Sequence, residues 1–154
     1  TESFKTIARI EQSVFAIMAP GHPLADFEKL SLSQCVEFPL ALHDSSFSVG
    51  QHLGAQAHSS RLSLKPVIKS NSFILLQNYI MNSNAVGFEI EIGLGESDLN
   101  GLVKRPLTLN KLNKISVQLI QLRGRTLSVA AAKFAEQIGA VFMAMSEENA
   151  DGIH

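Results

Sequence analysis

Leu127, Ala131, Phe134, Ile138, Val141 and Met145 recur at spacings of 4, 3, 4, 3 and 4, which draw one apolar stripe along a helix. Thr126 or Ser128 can cap its first turn. Just upstream, Ile115, Val117, Leu119 and Leu122 stand in a segment too short and too alternating for a helix, so residues 114 to 122 read as a strand. Arg123-Gly124-Arg125 joins the two as half of a βα unit.

The same pattern continues toward the N-terminus. Val14 to Ala19 reads as a strand ended by Pro20-Gly21, Ser31 caps a short helix, and Pro39 to Leu42 reads as a buried strand. A weaker helix runs from Val49 to Ala57 and a short strand from Pro66 to Lys69. Ser70-Asn71-Ser72 opens a helix over Phe73 to Met81 that is apolar nearly all round and so is expected to be buried. Val86-Gly87-Phe88 restarts a strand, and Glu147 to His154 reads as a frayed polar tail. Strands alternating with helices predict an α/β chain with a mainly parallel sheet or sheets.

Composition narrows the function. Thirteen Lys plus Arg against 14 Asp plus Glu give no basic field of the kind that drives phosphate contacts, so the chain by itself is not expected to bind DNA. No apolar run approaches the roughly 20 residues of a membrane span, and the expected location is cytoplasmic. The one cysteine, Cys35, excludes an internal disulfide and reads as a buried structural thiol.

Catalytic and metal sites do poorly on spacing. His43, Asp44 and Ser45 are consecutive, and neighbouring side chains do not converge into a nucleophile, base and orienting group. His52 and His58 fall on different helix faces with no Cys or carboxylate to complete a ligand set. Gly93-x-Gly95 has Asp98 where a dinucleotide loop needs its third glycine. Glu89 and Glu91 alternate on one strand as a candidate acid-base pair, for which a solvated edge is the plainer account. The expectation is no enzyme, no metal and no cofactor.

In order and spacing, His22-Pro23-Leu24-Ala25, Leu30-Ser31-Leu32, Pro39-Leu40-Ala41-Leu42, Ser70-Asn71-Ser72, Gly101-Leu102-Val103 with Pro106-Leu107, and residues 115 to 138 resemble the effector-binding domain of LysR-type transcriptional regulators. The resemblance covers about residues 7 to 139. It implies a two-lobe fold like a type II periplasmic binding protein with the first lobe incomplete. Residues 1–42 would be the remnant of the first lobe, 43–116 the second lobe, 117–145 the return strand and helix of the first, and 146–154 a tail. The family's winged helix-turn-helix, linker helix and opening strands are not in this chain. Residues 83 to 91 also depart from the family's Gly-x-Gly turn by adding Glu89 and Glu91.

The implied function is to sense a small molecule between the lobes and to control DNA binding by a domain outside this chain. A solute-binding protein or enzyme domain of the same fold is the alternative. The implied effector contacts are Ser45 and Ser46, after the strand entering the second lobe, and Asn71, Ser72 and Phe73, at the helix start, with Phe88 lining the cleft. Free backbone N–H groups at a helix start favour an anion. Self-association is expected as well, since family members pair through these domains.

Overall fold

The computed structural model describes residues 3–44, 48–95, 99–108 and 114–151. They form two compact units, one of Ser13–Ile115 and one of Thr1–Gln12 with Ser116–His154. The first strand, β1 (Phe4–Met18), serves both.

Within Ser13–Ile115, β1 is followed by a 3-10 turn (Pro23–Asp26), β2 (Leu30–Ser31), α1 (Leu32–Cys35), β3 (Leu40–His43), α2 (Ser48–Ser59) and β4 (Pro66–Ser70). Then come α3 (Phe73–Met81), β5 (Gly87–Ile90), a second 3-10 turn (Glu91–Gly93) and β6 (Val103–Thr108). The C-terminal half of β1 lies between β5 and β6, antiparallel to both, with Val14 opposite Ile90 and Met18 opposite Val103. The parallel pairs are β2 with β6 and β3 with β4, and a parallel bridge joins Leu40 to Val86. A mainly parallel sheet is therefore not what the chain builds. Hydrophobic periodicity reports which face of a strand is buried, not the direction of its neighbour.

Alternation along the strands divides the core into two layers. Val14, Ala16 and Met18 of β1 join Leu40 and Leu42 of β3, Leu32 and Cys35 of α1, and Val49, Leu53 and Ala57 of α2. Ile17 and Ala41 point the other way, to Leu76 and Ile80 of α3. Gly87 is what lets α3 approach β1 and β3: a Cβ there would stand 2.5 Å from Ile80 Cδ1 and 3.3 Å from the Ala41 carbonyl oxygen. Since α3 covers one face only, its buried residues are Leu76, Gln77 and Ile80, while Ile74 is 71% exposed and Leu75 50%. The helix bounds match the sequence pattern, and the all-round burial expected of it does not hold.

Local signals fix the helix ends. Ser31 and Gln34 form a reciprocal capping box at α1, and Ser72 Oγ accepts from Leu75 N at the start of α3.

In the second unit the N-terminal half of β1 pairs with β7 (Lys114–Leu122), running in opposite directions, since Ser3 meets Arg123 and Thr6 meets Gln118. Ser128 caps α4 (Val129–Asp151) by accepting from Ala131 N. The helix runs on through Glu147 to Asp151, where a frayed tail was expected, because Met145, Glu147, Glu148 and Ala150 are good helix formers. Its buried anchor is Phe142, at 6% exposure, whereas Phe134 and Val141 of the apolar stripe stand 60% and 50% exposed.

Candidate functional site

Parallel β3 and β4 end side by side, with His43 in register with Ser70. The crevice outside the carboxyl ends of such strands is where α/β sheets place ligands. Asp44 N donates to the Ser70 carbonyl at 3.2 Å, closing the pair. Gly50 brings the start of α2 against the same strand end, since a Cβ there would lie 3.1 Å from the Asp44 carbonyl oxygen.

Around this end stand the start of α3 and a largely buried histidine–carboxylate contact. His43 Nε2 lies 2.8 Å from Glu89 Oε2 of β5, with the side chains 8% and 13% exposed. Phe73 stacks on the His43 ring, with centroids 6.1 Å apart and planes at 22°. Ser70 Oγ accepts from Ser72 N at 3.0 Å, and Ser72 Oγ accepts from Leu75 N at 3.3 Å. The remaining first-turn donors are the N–H groups of Phe73 and Ile74, which a helix cannot satisfy internally. Chemically, this edge offers two backbone donors, exposed Asn71 and Ser72, and an aromatic ring held against a carboxylate-oriented imidazole.

Of the residues expected to contact an effector, Asn71, Ser72 and Phe73 lie together here. Phe88, at 3% exposure, packs into the core with Val86. Ser45 and Ser46 lie outside the described residues. The His43–Glu89 pair was not foreseen. Glu89 is no solvated edge group, and Glu91 belongs to the 3-10 turn rather than to the strand, so the two carboxylates do not form an alternating pair.

The other motif residues have structural roles. His22 Nδ1 accepts from Leu24 N at 3.0 Å and its Nε2 lies 2.9 Å from the Asn84 carbonyl, which ties His-Pro-Leu-Ala to the loop before β5. Cys35 is fully buried, and burial pushes its thiol from 9.0 up to about 12. Burial likewise holds His52 below its ordinary 6.5. Among the described residues no group of three or more His, Cys, Asp or Glu could hold a metal ion, and no helix is long and apolar enough to cross a membrane. A cavity of about 840 Å³ lies in the other unit against α4, where Ile7, Leu127, Phe142 and Met143 make a largely apolar cleft rimmed by Arg9, Gln121 and Glu136. A cleft of that kind suits an apolar face better than a small polar ligand.

The family model for the LysR substrate binding domain matches residues 3–143. The chain belongs to this family. Its members have the two-lobe, periplasmic-binding-protein-like fold, and the mixed α/β architecture above matches it. Among solved structures, HinK, a LysR family transcriptional regulator from Pseudomonas aeruginosa, is 17% identical with a TM-score of 0.71 over 92% of this chain and 50% of its own. The CcmR regulatory domain of Synechocystis PCC6803, in complex with 2-PG, is 14% identical with a TM-score of 0.70 over 91% of this chain and 66% of its own. The effector binding domain of QuiR, in complex with shikimate, is 14% identical with a TM-score of 0.67 over 90% and 65%. The chain thus spans about half the length of the first solved structures it matches. No curated protein matches the sequence.

Proposed function

We propose that this chain is the effector-sensing part of a bacterial LysR-type transcriptional regulator, acting in the cytoplasm on a DNA-binding domain outside these 154 residues. The observation that carries the reading is the family match over residues 3–143. Similarity to domains seen with shikimate and with 2-PG supports a small, anionic metabolite as the effector. The proposed contacts are Asn71, Ser72 and Phe73 together with Ser45 and Ser46, and the buried Phe88 is proposed to support the strand beneath. Phe73 and Ile74 N–H receive the anion, in place of the Ser72 N–H that Ser70 already occupies. An effector that binds one arrangement of the sensor more tightly shifts the population toward it, and with it the geometry of the regulator on DNA. The open apolar face of α4 is proposed to support self-association.

The experiment is a footprint of the full regulator on its promoter, with and without a ligand that raises the melting temperature of this chain. The reading expects the same ligand to alter the footprint. A ligand that stabilises the chain and leaves the footprint unchanged overturns it, as does salt-sensitive binding of arbitrary duplex DNA by the isolated chain.

A further inference from the structure

A second cavity of about 200 Å³ opens on the opposite core layer of Ser13–Ile115, where β2, α1, the end of α2 and the end of β6 meet. Its polar lining is Ser31, Ser33, Gln56, Ser60 and Thr108, and Leu32 and Leu62 supply the apolar part. Ser31 and Thr108 are register partners at the end of the parallel β2–β6 pair. The Ser31 hydroxyl accepts from Gln34 N at 3.3 Å and lies 2.9 Å from Ser33 Oγ, so two of the hydroxyls are held in place by the α1 cap.

Gln56 is the residue that needs explaining. It is 5% exposed, yet only its backbone carbonyl is engaged, by Ser59 Oγ and Ser60 N, and its carboxamide makes no hydrogen bond to another described residue. The carboxamide atoms are not among the fully buried unpartnered ones, so the little surface the residue keeps includes its amide, whose hydrogen bonds are completed from outside the protein. The amide faces the cavity that it lines.

We infer that this cavity is a ligand site separate from the His43–Ser72 edge, built for a small uncharged polyol of glycerol to monosaccharide size. Hydroxyls and a carboxamide both donate and accept, as a polyol does. None of the described lining residues is charged, so none of them offsets a phosphate or a carboxylate. The volume falls below the ~300 Å³ at which pockets for drug-sized ligands begin.

The test is an amide NMR titration of the ¹⁵N-labelled chain with glycerol, D-xylose and D-glucose, and with sodium phosphate as the charged control. The expected result is a saturable shift of the Gln56 side-chain NH₂ signals with at least one polyol and none with phosphate. Gln56→Leu should weaken that polyol about tenfold, the effect of one lost hydrogen bond, while melting no lower than wild type. His43→Ala should leave it unchanged, which keeps this site distinct from the effector edge. Thr108→Val provides a second variant that should weaken the titration. Polyols that leave the Gln56 signals unmoved, as for a cavity holding water alone, overturn the inference. So does undiminished binding in either Gln56→Leu or Thr108→Val.

Discussion

His43 Nε2 and Glu89 Oε2 meet at 2.8 Å from strands 46 positions apart, beside the start of α3. Both side chains are largely withdrawn from water, so each depends on the other to offset its desolvation. His43→Ala and Glu89→Ala should each destabilise the chain by about 1–3 kcal/mol, and the double variant should cost at least ~1 kcal/mol less than their sum. Urea unfolding of the four proteins measures this. Strict additivity would show that the pair contributes no coupling.

His52 gives the stability a pH dependence. Burial depresses its pKa below 6.5 in the fold, so on acidification the unfolded chain takes up a proton before the folded one does. Stability is therefore present above about pH 6.5 and is lost as the pH falls through the folded value. His52→Gln should flatten this slope in urea melts taken from about pH 8 to about pH 5. An identical slope in the variant would assign the dependence to other groups.

Cys35 should be chemically silent in the native state. A thiol with a pKa of about 12 carries almost no thiolate near neutrality, and its side chain has no exposed surface. A thiol reagent at about pH 8 should label it only after denaturation. Native labelling as fast as that of a free thiol would show that this core layer opens.

Much of the α/β organisation was legible because caps and turns are local. Ser31, Ser72 and Ser128 announce helix starts through hydroxyl and sequence context alone, and the strand at Lys114–Leu122 shows its alternation. What the sequence withheld was pairing over distance. Nothing in Val14 to Met18 tells that both neighbours run antiparallel, and nothing in Glu89 tells that its partner is His43. The burial of α3 was overstated because Ile74 and Leu75 are apolar yet face away from the single layer that the helix covers. At the candidate site, Ser70-Asn71-Ser72 was readable as a helix start, while the Phe73–His43 stacking and the His43–Glu89 contact behind it were not.

The α4 face should drive association. Phe134, Val141 and Met143 are 60%, 50% and 68% exposed on a helix that buries Phe142 and half-buries Ala131, Ile138 and Met145, and a run of exposed apolar side chains of this kind marks an interaction surface. Light scattering at tens of micromolar should report species larger than 16.7 kDa, and Phe134→Lys with Met143→Lys should reduce them without lowering the melting temperature. A wild-type chain that stays monomeric contradicts this.

The central claim is that the start of α3 receives an anionic effector. The most direct measurement is an amide NMR titration of this chain with small carboxylates and phosphate esters, shikimate among them, in wild type and in Ser72→Ala. The account predicts saturable shifts at the Phe73 and Ile74 N–H groups for at least one anion, with affinity reduced in Ser72→Ala beyond the ~1 kcal/mol that a lost cap costs in stability. If every bound anion shifts other residues and leaves Phe73 and Ile74 unmoved, the helix start is a structural cap and the effector site lies elsewhere.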